Sequence, residues 1–437
     1  MTFGARIACG MALLASSTRV FAQTADSSDG LEEVVVTAQK RSQSVQEVGL
    51  SIAALSDEQL RAFGITSAQQ VSESVAGVQV YNYTGSQPTF VIRAIGVQDF
   101  APNIAPAAAL YLDEVYLGSN ILSGFQVFDT ERIEILKGPQ GDLFGRNTTG
   151  GAVSYTTKHP TATAEGYVEA TLANYETASI DAAAGGPLTD SLNIRVAGRY
   201  SNQSEGYYTN AWTPASTSLP LSPVFLAPKR RPGESEDWAG RLLLEWKPTE
   251  HANLLLNLHS GEKNSDLIPL TPIGFSSIPG AAQPCGATAL GGRYDVRYCG
   301  DAFGYTDQDG DPYRVNIDFV GRNHHTNDGA SVRGVFDFGA FQLTSITAYD
   351  EAHKRSFLDT DGAPHHELNQ LRDTELTQYT QELRLSSDAN ERFYWIAGAY
   401  AGREKIDLQF LGTLSPVLGL TNFTDPALAA AWRTAWN

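Results

Sequence analysis

The chain has 437 residues and a formal net charge of −18, which is long enough for two or three domains or one large β domain. The acidic balance argues against a nucleic-acid partner, because phosphate binding needs clustered Lys and Arg, and the apolar content of 42% argues against disorder. The 40 glycines, with 18 Tyr and 19 Phe beside 2 Met, favour aromatic-rich β structure with many turns.

The N-terminus predicts a secretory signal peptide over residues 1–22. Arg6 supplies the positive charge, residues 7–17 form the apolar run, and Val20 and Ala22 precede the predicted cleavage point. The alternative, a membrane anchor, conflicts with the length of the run, which is too short to cross a bilayer. The remaining chain is therefore expected in an oxidising compartment.

Residues 23–45 are predicted to be a flexible leader. Three consecutive valines, residues 34–36, are strong strand formers, yet polar residues flank them on both sides. The leader therefore carries one short strand without an evident partner in its own neighbourhood. Lys40 and Arg41, which follow it, are predicted to be solvated charges.

Residues 46–158 are predicted to be a small mixed α/β domain. The capping boxes Ser56-x-x-Gln59 and Thr66-x-x-Gln69 predict two short helices, which Gly64 and Gly77 are placed to end. Strands are predicted at residues 78–81, 89–93, 108–112, 132–136 and 151–157.

A Gly-rich run follows in this domain, at Gly138, Gly141, Gly145, Gly150 and Gly151. A phosphate cradle is not supported, because the run lacks the G-K-[ST] ending of a P-loop. Tight turns are the better interpretation.

From about Glu165 onward the sequence alternates with the period of a β-strand. In SLNIRVAGRYS, for example, Leu192 and Val196 share one face, and Asn193 and Arg195 share the other. The same alternation recurs in WAGRLLLEWK, HANLLLNLH, SVRGVFDFG and QYTQELRLS. Nine strands are predicted, near residues 165–174, 176–185, 191–202, 235–247, 251–261, 328–338, 340–354, 375–387 and 391–404.

The predicted connections differ in length. Short turns are expected at residues 185–190, 247–251, 338–340 and 387–391, and long loops at residues 202–234, 261–327 and 355–373. Short turns at one end and long loops at the other are typical of an outer-membrane β-barrel, and less so of the alternative, a soluble sandwich. The tail looks helical over residues 426–436, with Asp425 as its N-cap.

Charged residues of the α/β domain are candidates for breakable ion pairs with the barrel lumen. The domain residues are Arg132, Glu134, Lys137 and Arg146, and the lumen candidates are Glu169, Arg195 and Glu245. Solvated charge is the alternative, since exposed pairs contribute little.

Two cysteines remain after removal of the signal peptide, which carries Cys9. Cys285 and Cys299 form an even pair in an oxidising compartment, which predicts a disulfide. Two free loop cysteines are the alternative.

The predicted outward loops contain three weaker signals. The acidic DQDGD stretch at residues 307–311 has its glycine at the fourth place, which favours a loop turn over an EF-hand. The pairs at residues 324–325 and 365–366 are adjacent histidines, either solvated or near a metal-loaded ligand. Loop aromatics either grip a ligand or pack the loops: Tyr207, Tyr208, Trp212, Phe275, Tyr294, Tyr298 and Tyr305.

The chain shows no catalytic signature. It has no G-x-S-x-G elbow, no H-E-x-x-H and no clustered Cys/His zinc spacing. The chain is therefore not expected to be an enzyme, and no cofactor is predicted.

Three stretches together resemble the TonB-dependent outer-membrane receptors, in particular the siderophore receptors. EEVVVTAQKR is similar to the family's energy-coupling box, PTFVIRAIG to a plug strand, and ERIEILKGPQGDLFGRNTTGGAVSYTTK to the closing signature of the plug. Ala94 departs from the pattern, because the family usually has glycine there. The box residues are Glu32, Glu33, Val34, Val35, Val36, Thr37 and Ala38. The signature residues are Arg93, Gly96, Arg132, Glu134, Gly138, Pro139, Gly141, Gly145, Arg146, Asn147, Gly150 and Gly151.

The resemblance implies residues 46–158 as a plug domain and residues 159–437 as the N-terminal part of a transmembrane β-barrel in a Gram-negative outer membrane. Plugged transporters use about 22 strands, so a chain with nine is expected to be a fragment, a truncated gene product or one part of a split receptor.

The resemblance also implies partners. The box would pair with the sheet edge of TonB, of the inner-membrane coupling complex, by β-augmentation, unless it is an ordinary strand held against the plug. The barrel would contact outer-membrane lipid, and a small extracellular ligand, an iron–siderophore by default, would bind above the plug. The competing functions are a passive porin or adhesin, a non-functional fragment and a soluble periplasmic enzyme.

Overall fold

The computed structural model describes residues 35–37, 40–41, 43–46, 48–82, 87–97, 101–125, 127–213, 228–272, 276–278, 285, 297–301, 303–307, 309–387 and 393–414. Several predicted features lie outside these residues: the signal peptide, residues 32–34 and 38 of the box, Phe275, Tyr294 and the C-terminal helix.

The leader and the domain that follows it contain nine strands and three α-helices among the described residues. In chain order they are β1 (Val35–Val36), β2 (Gln43–Ser44), β3 (Ile52–Ser56), α1 (Asp57–Ala62), α2 (Ala68–Ser74), β4 (Val78–Tyr81), β5 (Thr89–Ile92), β6 (Ala108–Leu112), β7 (Val115–Leu117), a 3₁₀ helix (Asn120–Ser123), β8 (Thr130–Lys137), α3 (Gly141–Phe144) and β9 (Gly151–Thr157). The five-stranded sheet of the domain has the order β3-β8-β9-β6-β7, with β6 and β9 parallel. This domain is called the plug below.

The helix starts follow local capping chemistry. Ser56 and Gln59 form the predicted capping box of α1. The second helix begins one residue later than predicted, because Gln70 caps it in place of Gln69: its side-chain oxygen accepts the backbone N–H of Ser67 at 3.0 Å. The sequence offers two adjacent glutamines here, and only helix geometry selects between them.

A second, larger sheet begins at residue 165. Its described strands, with four short loop strands between them, are β10 (Glu165–Ala173), β11 (Thr177–Thr189), β12 (Leu192–Gln203), β13 (Thr209–Asn210), β14 (Ser235–Thr249), β15 (Ala252–Asp266), β16 (Ser276–Ser277), β17 (Cys299–Gly300), β18 (Arg314–Val315), β19 (Arg322–Asp337), β20 (Phe341–Asp359), β21 (Leu368–Ser387) and β22 (Ile396–Leu414). Nine of them pair antiparallel in the order β10-β11-β12-β14-β15-β19-β20-β21-β22, which confirms the predicted number of strands. This sheet is called the wall.

The outer ends of the wall strands run further than predicted. β19 begins at Arg322 and β21 at Leu368, each several residues before the predicted start. These extensions are polar, as at His324, which pairs with Arg355 on the neighbouring strand. A ladder of backbone hydrogen bonds needs no apolar side chains, so polarity alone gave the wrong loop boundary.

The polarity of the wall is inverted relative to a soluble protein. Trp246 and Tyr379 are 49% and 56% exposed on the outer face, whereas Arg241 and Asn257 are only 4% and 2% exposed on the inner face. An apolar outer face and a polar inner face are typical of strands in a membrane barrel, which confirms the predicted fold class. Among the described residues, no helix has the length and apolar character to cross a bilayer.

The plug lies against the inner face of the wall. Its core centres on Leu110, Ile133 and Val153, which are fully buried. The same apolar cluster includes Ile346 and Leu376 of the wall. A second apolar cluster joins Phe128 of the plug to Ala183, Ala197 and Ala239 of the wall. The inner face is therefore filled by a folded domain in this region, through an interface with both apolar and polar contacts.

Candidate functional site

The described part of the box is held by its own chain. Val35 and Val36 pair antiparallel with Ser44 and Gln43, and the Val36 side chain is fully buried against the plug. The backbone N–H of Thr37 donates to Glu134 Oε1 at 2.9 Å, and its hydroxyl donates to the same oxygen at 3.1 Å. Strand β1 is therefore paired within its own chain. This agrees with the alternative interpretation, in which the box is an ordinary strand held against the plug.

Glu134 is the anchor for this contact. It lies on β8 with 1% of its surface exposed, and Arg132 Nε donates to it at 2.8 Å. Arg132 also pairs with the exposed Glu131. The predicted pairing of Arg132 and Glu134 with the lumen is therefore wrong, because their partners lie within the plug and its leader.

Lys137 is held within the plug, whereas Arg146 lies beside the wall and lines a pocket with Arg384 and Tyr400. Lys137 Nζ donates to the backbone oxygen of Ala76 at 2.9 Å, and the Arg146 guanidinium lies 5.2 Å from the centre of the Tyr116 ring. Of the predicted lumen partners, Glu245 accepts a bond from Asn253 on the wall. Another predicted lumen residue, Arg195, does form an ion pair with the plug, but its partner is Asp129 and not one of the predicted plug charges.

The Gly-rich run of the signature builds the loop that connects the antiparallel strands β8 and β9. Gly138 N–H donates to Gly150 O at 2.9 Å, and Gly151 has φ +148°. A Cβ at Gly151 would collide with the carbonyl oxygen of Leu136. Glycine is therefore required where β8 and β9 approach most closely.

The remaining signature residues form turns around this loop. Asn147, with φ +65°, donates from Nδ2 to the Tyr116 hydroxyl at 2.6 Å. Arg93 and Ala94 both have positive φ, so the turn after β5 keeps its left-handed form with alanine in place of glycine. The structure places the others as follows: Gly96 against Val91, Gly141 at the start of α3, and Gly145 at its C-cap, with Pro139 between Gly138 and Gln140.

Replacing Glu134 by Leu should release the box from the plug. Leucine keeps the volume of this buried side chain but removes the acceptor of both Thr37 hydrogen bonds. Hydrogen bonds to charged groups contribute about 1.5–3 kcal/mol, so amide hydrogen exchange at Thr37 should accelerate roughly 10- to 100-fold. Glu131→Leu is the control. Glu131 is an exposed partner of Arg132 and does not itself hold Thr37, so this exchange should stay unchanged.

A second contact joins the leader, the plug and the wall. Glu114, at the β6–β7 turn, accepts from Arg333 Nε at 2.8 Å and from Arg384 Nη2 at 2.6 Å. Lys40 Nζ lies 3.9 Å from the same carboxylate. These four residues are called the Glu114 cluster.

The Glu114 cluster holds its carboxylate in the ionised form. Burial alone would raise the pKa of Glu114, but the charges of Arg333, Arg384 and Lys40 lower it to about 2. The Lys40 side chain is only 5% exposed, which corrects the prediction that it is solvated. The cluster therefore keeps the Glu114 carboxylate ionised at any physiological pH, while burial lowers the pKa of Lys40.

Other polar contacts fasten the plug to the wall. Asp129 accepts two bonds from Arg195, at 2.7 and 2.6 Å. Gln378 accepts from Gly118 N–H and donates to Tyr116 O, both at 2.7 Å. These hydrogen bonds can be replaced by hydrogen bonds to water when the plug moves. Separating a continuous apolar interface would instead expose apolar surface to water.

An open cavity of about 560 Å³ lies at the outer ends of the wall strands. Its lining carries both signs of charge, with Lys229, Arg322 and Arg355 beside Glu234, Glu236 and Asp266. Lys229 Nζ donates to Asp266 Oδ1 at 3.1 Å. The volume and the mixed polar lining are compatible with a small polar ligand.

The outer loops are more closely packed than predicted. The ring centroids of Tyr207 and Tyr208 lie 4.5 Å apart, next to Tyr313, so these aromatics pack against each other. His325, on β19, and His365 and His366, in the β20–β21 loop, are buried and not solvated. Cys285 and Cys299 are bonded to each other.

The acidic DQDGD stretch forms loop turns. Asp307, Asp309 and Asp311 accept successive backbone N–H groups two residues ahead, at 2.9–3.1 Å. These side chains are thus used by the local backbone, as expected of Asx turns.

Sequence reasoning missed Glu114, Asp129 and Gln378. One signal was available for Glu114: Asp113 and Glu114 separate two apolar runs, and both have positive φ in a two-residue hairpin turn. A charge at such a tip must project toward whatever faces the hairpin. Nothing local in the sequence marks Gln378, which lies among alternating polar residues of a strand.

Residues 44–152 match the family model described as TonB-dependent Receptor Plug Domain. Among curated proteins, the pesticin receptor of Yersinia pestis is 29% identical over 161 residues, or 36% of this chain and 24% of that receptor. The ferripyoverdine receptor of Pseudomonas aeruginosa is 26% identical over 184 residues, or 42% of this chain and 22% of that receptor.

Solved structures share the fold. The ferric yersiniabactin uptake receptor of Yersinia pestis aligns with a TM-score of 0.64 at 19% identity, covering 84% of this chain and 50% of that one. The ferripyoverdine receptor of Pseudomonas aeruginosa aligns at 0.62 and 11% identity, covering 87% and 46%. The chain thus spans about a quarter of the length of these curated relatives in sequence and about half of these structures.

Proposed function

Because this chain is, by its plug domain and strand architecture, a TonB-dependent receptor of the outer membrane, we propose that it imports a scarce extracellular ligand by energy-coupled transport. The ligand class is an iron–siderophore complex, and the coupling partner is TonB. The names of its relatives, which include a ferric yersiniabactin uptake receptor and ferripyoverdine receptors, support that ligand class.

One observation carries the proposal: the leader contacts both the plug and the plug–wall junction. Thr37 is bonded to Glu134 on β8, and Lys40, whose backbone N–H donates to Thr37 O at 2.8 Å, faces Glu114. Thr37 and Lys40 belong to the same turn of the chain. A pull on residues 32–38 would therefore act on both contacts.

The mechanism follows from these contacts. TonB would add its own strand to the box, and the backbone hydrogen bonds of β-augmentation would replace the β1–β2 pairing. Removal of Lys40 would then take one cation from the Glu114 cluster, leaving Arg333 and Arg384 on the wall. The polar bonds at Asp129 and Gln378 would exchange for water as the plug rearranged below the bound ligand.

Deletion of residues 32–38 from the intact gene tests this function. In iron-starved cells that lack the native gene, the deleted receptor should still bind ⁵⁵Fe-labelled siderophore at the surface but should accumulate none. Ferric yersiniabactin and ferripyoverdine are the first probes. Deletion of residues 25–31, also seven residues of the leader, is the matched control and should leave uptake intact.

Two results would decide against coupled import. Full uptake without residues 32–38 would favour a passive porin, because only energy-coupled transport needs the box. Absence of both binding and uptake for every siderophore tested, in an intact receptor present at the cell surface, would remove this ligand class.

A further inference from the structure

Three potential metal ligands converge in the outer loops, away from the leader and the Glu114 cluster. Asp301, His365 and Glu367 place their ligand atoms within 4.8 Å of one another. His365 Nε2 lies 3.2 Å from Asp301 Oδ2 and 3.3 Å from Glu367 Oε1. These three residues are called the outer-loop triad.

The hydrogen bonding of the outer-loop triad is incomplete. A single imidazole N–H donates one good hydrogen bond, and here it faces two carboxylates. Asp301 is 3% exposed, and its Oδ2, although near Nε2, accepts no hydrogen bond among the described residues. A buried carboxylate oxygen aimed at an imidazole nitrogen without a hydrogen bond is costly unless a positive charge compensates it, either on the imidazole itself or on a metal ion bound between the two groups.

Neighbouring residues fix each ligand in place. Asp301 Oδ1 accepts the backbone N–H groups of Phe303 and Tyr305 at 2.8 and 2.9 Å, which turns Oδ2 toward the imidazole. The Phe303 ring packs edge-on against His365, with centroids 4.9 Å apart. Glu367 N–H donates to Asp361 Oδ2 at 3.0 Å. Ligands held by such contacts are typical of preorganised metal sites.

The spacing agrees with a tetrahedral metal. Zinc binds His nitrogen and carboxylate oxygen at about 2.0–2.2 Å, which places two ligands of a tetrahedron roughly 3.3–3.6 Å apart. The distances from His365 Nε2 to the two carboxylates are close to this range. Calcium prefers six to eight oxygen ligands, so a triad with an imidazole favours a transition-metal dication.

We propose that the outer-loop triad is a binding site for Zn²⁺ or a chemically similar divalent cation, with a fourth position open to water. Asp301 lies two residues after Cys299 of the disulfide, and His365 and Glu367 lie in the loop between β20 and β21. A bound cation therefore joins two outer loops that the backbone connects only through long segments. The site is independent of energy coupling by TonB.

Equilibrium dialysis of the purified full-length receptor in detergent tests the site. The protein carries no histidine tag and is first treated with a chelator. It should bind one equivalent of Zn²⁺ that excess Ca²⁺ does not displace. His365→Gln, Asp301→Asn and Glu367→Gln should each weaken binding at least about tenfold.

His366→Gln is the matched control, since His366 is buried in the same loop but is not in the triad. It should bind Zn²⁺ like the wild type. As a second readout, Zn²⁺ should slow amide hydrogen exchange in residues 360–367 of the wild type but not of Glu367→Gln, a near-isosteric change chosen to preserve the fold.

Two results would overturn the proposal. The first is wild-type binding no tighter than that of His365→Gln, which would mean that the imidazole is simply a cation held between two carboxylates. The second is equal loss in His366→Gln and His365→Gln, which would place any bound zinc elsewhere.

Discussion

Reversing the charge at Glu114, by Glu114→Lys, should detach the β6–β7 hairpin of the plug from the wall. The change leaves Lys40, Arg333 and Arg384 without their shared anion and adds a fourth cation among them. Removing one partner of a fully buried ion pair costs about 3–5 kcal/mol; the Glu114 side chain is 23% exposed, so the loss is smaller here, and the new repulsion adds to it. Hydrogen exchange across residues 108–117 should rise by at least about tenfold.

Glu131→Lys is the control for this prediction. It reverses a carboxylate on the same domain that is 46% exposed and pairs with Arg132, so exchange in the hairpin should not change. Unaltered exchange in Glu114→Lys would show that the cluster does not hold the plug.

Acid should weaken the same junction without a mutation. Because the folded-state pKa of Glu114 is lowered to about 2 from 4.5, its contribution to stability is complete above pH 4.5 and is lost as the pH falls through about 2. Hairpin exchange, corrected for intrinsic rates, should therefore rise in this acid range, and Glu114→Gln should remove that pH dependence.

The second large effect is expected in the plug, at the loop that connects β8 and β9. Gly151→Ala would place a Cβ against the carbonyl oxygen of Leu136 and 3.0 Å from Ile92 Cδ1, in a backbone with φ +148°. A clash with the backbone in a strained conformation belongs to the mutations that cost more than about 4 kcal/mol, so the plug should fail to fold. Digestion of the purified receptor by a protease should then cut within residues 46–158.

Gly141→Ala is the matched control, because its added Cβ would meet only Thr148 Oγ1, at 4.0 Å, and φ is not positive there. The plug of this variant should resist the protease like the wild type. A protease-resistant plug in Gly151→Ala would mean that β8 and β9 do not approach as closely as described.

The alternation of apolar and polar residues in the wall could be predicted from the sequence because the two-residue period of the side chains matches their burial along each strand. Val196 is 51% exposed and its neighbour Arg195 is 3% exposed, as the two-residue pattern predicts for a lipid-facing and an inner position. The plug strands were predictable for a different reason, since short apolar runs between turns leave few alternatives. Strand ends were less predictable, because polar ladders such as His324 with Arg355 continue beyond the apolar segments.

The contacts of the candidate site were harder to predict. Lys40 looks like any solvated charge in the sequence, and only the fold brings Glu114 to it from more than seventy positions away. Likewise, His365 and Asp301 meet across two loops, and no local pattern links them. Pairings of this kind depend on strand register and loop closure, neither of which is encoded by neighbouring residues.

The central claim is that the wall separates lipid from a polar interior filled by the plug, and nitroxide labels placed singly on β21 test it most directly. Tyr379 and Leu383 are 56% and 46% exposed, and Gln378 and Thr380 are 2% and 7% exposed. In lipid vesicles, labels at 379 and 383 should collide with dissolved oxygen and avoid a polar nickel chelate, whereas labels at 378 and 380 should be shielded from oxygen. Oxygen-accessible labels at 378 and 380, with 379 and 383 in contact with the chelate, would contradict the account.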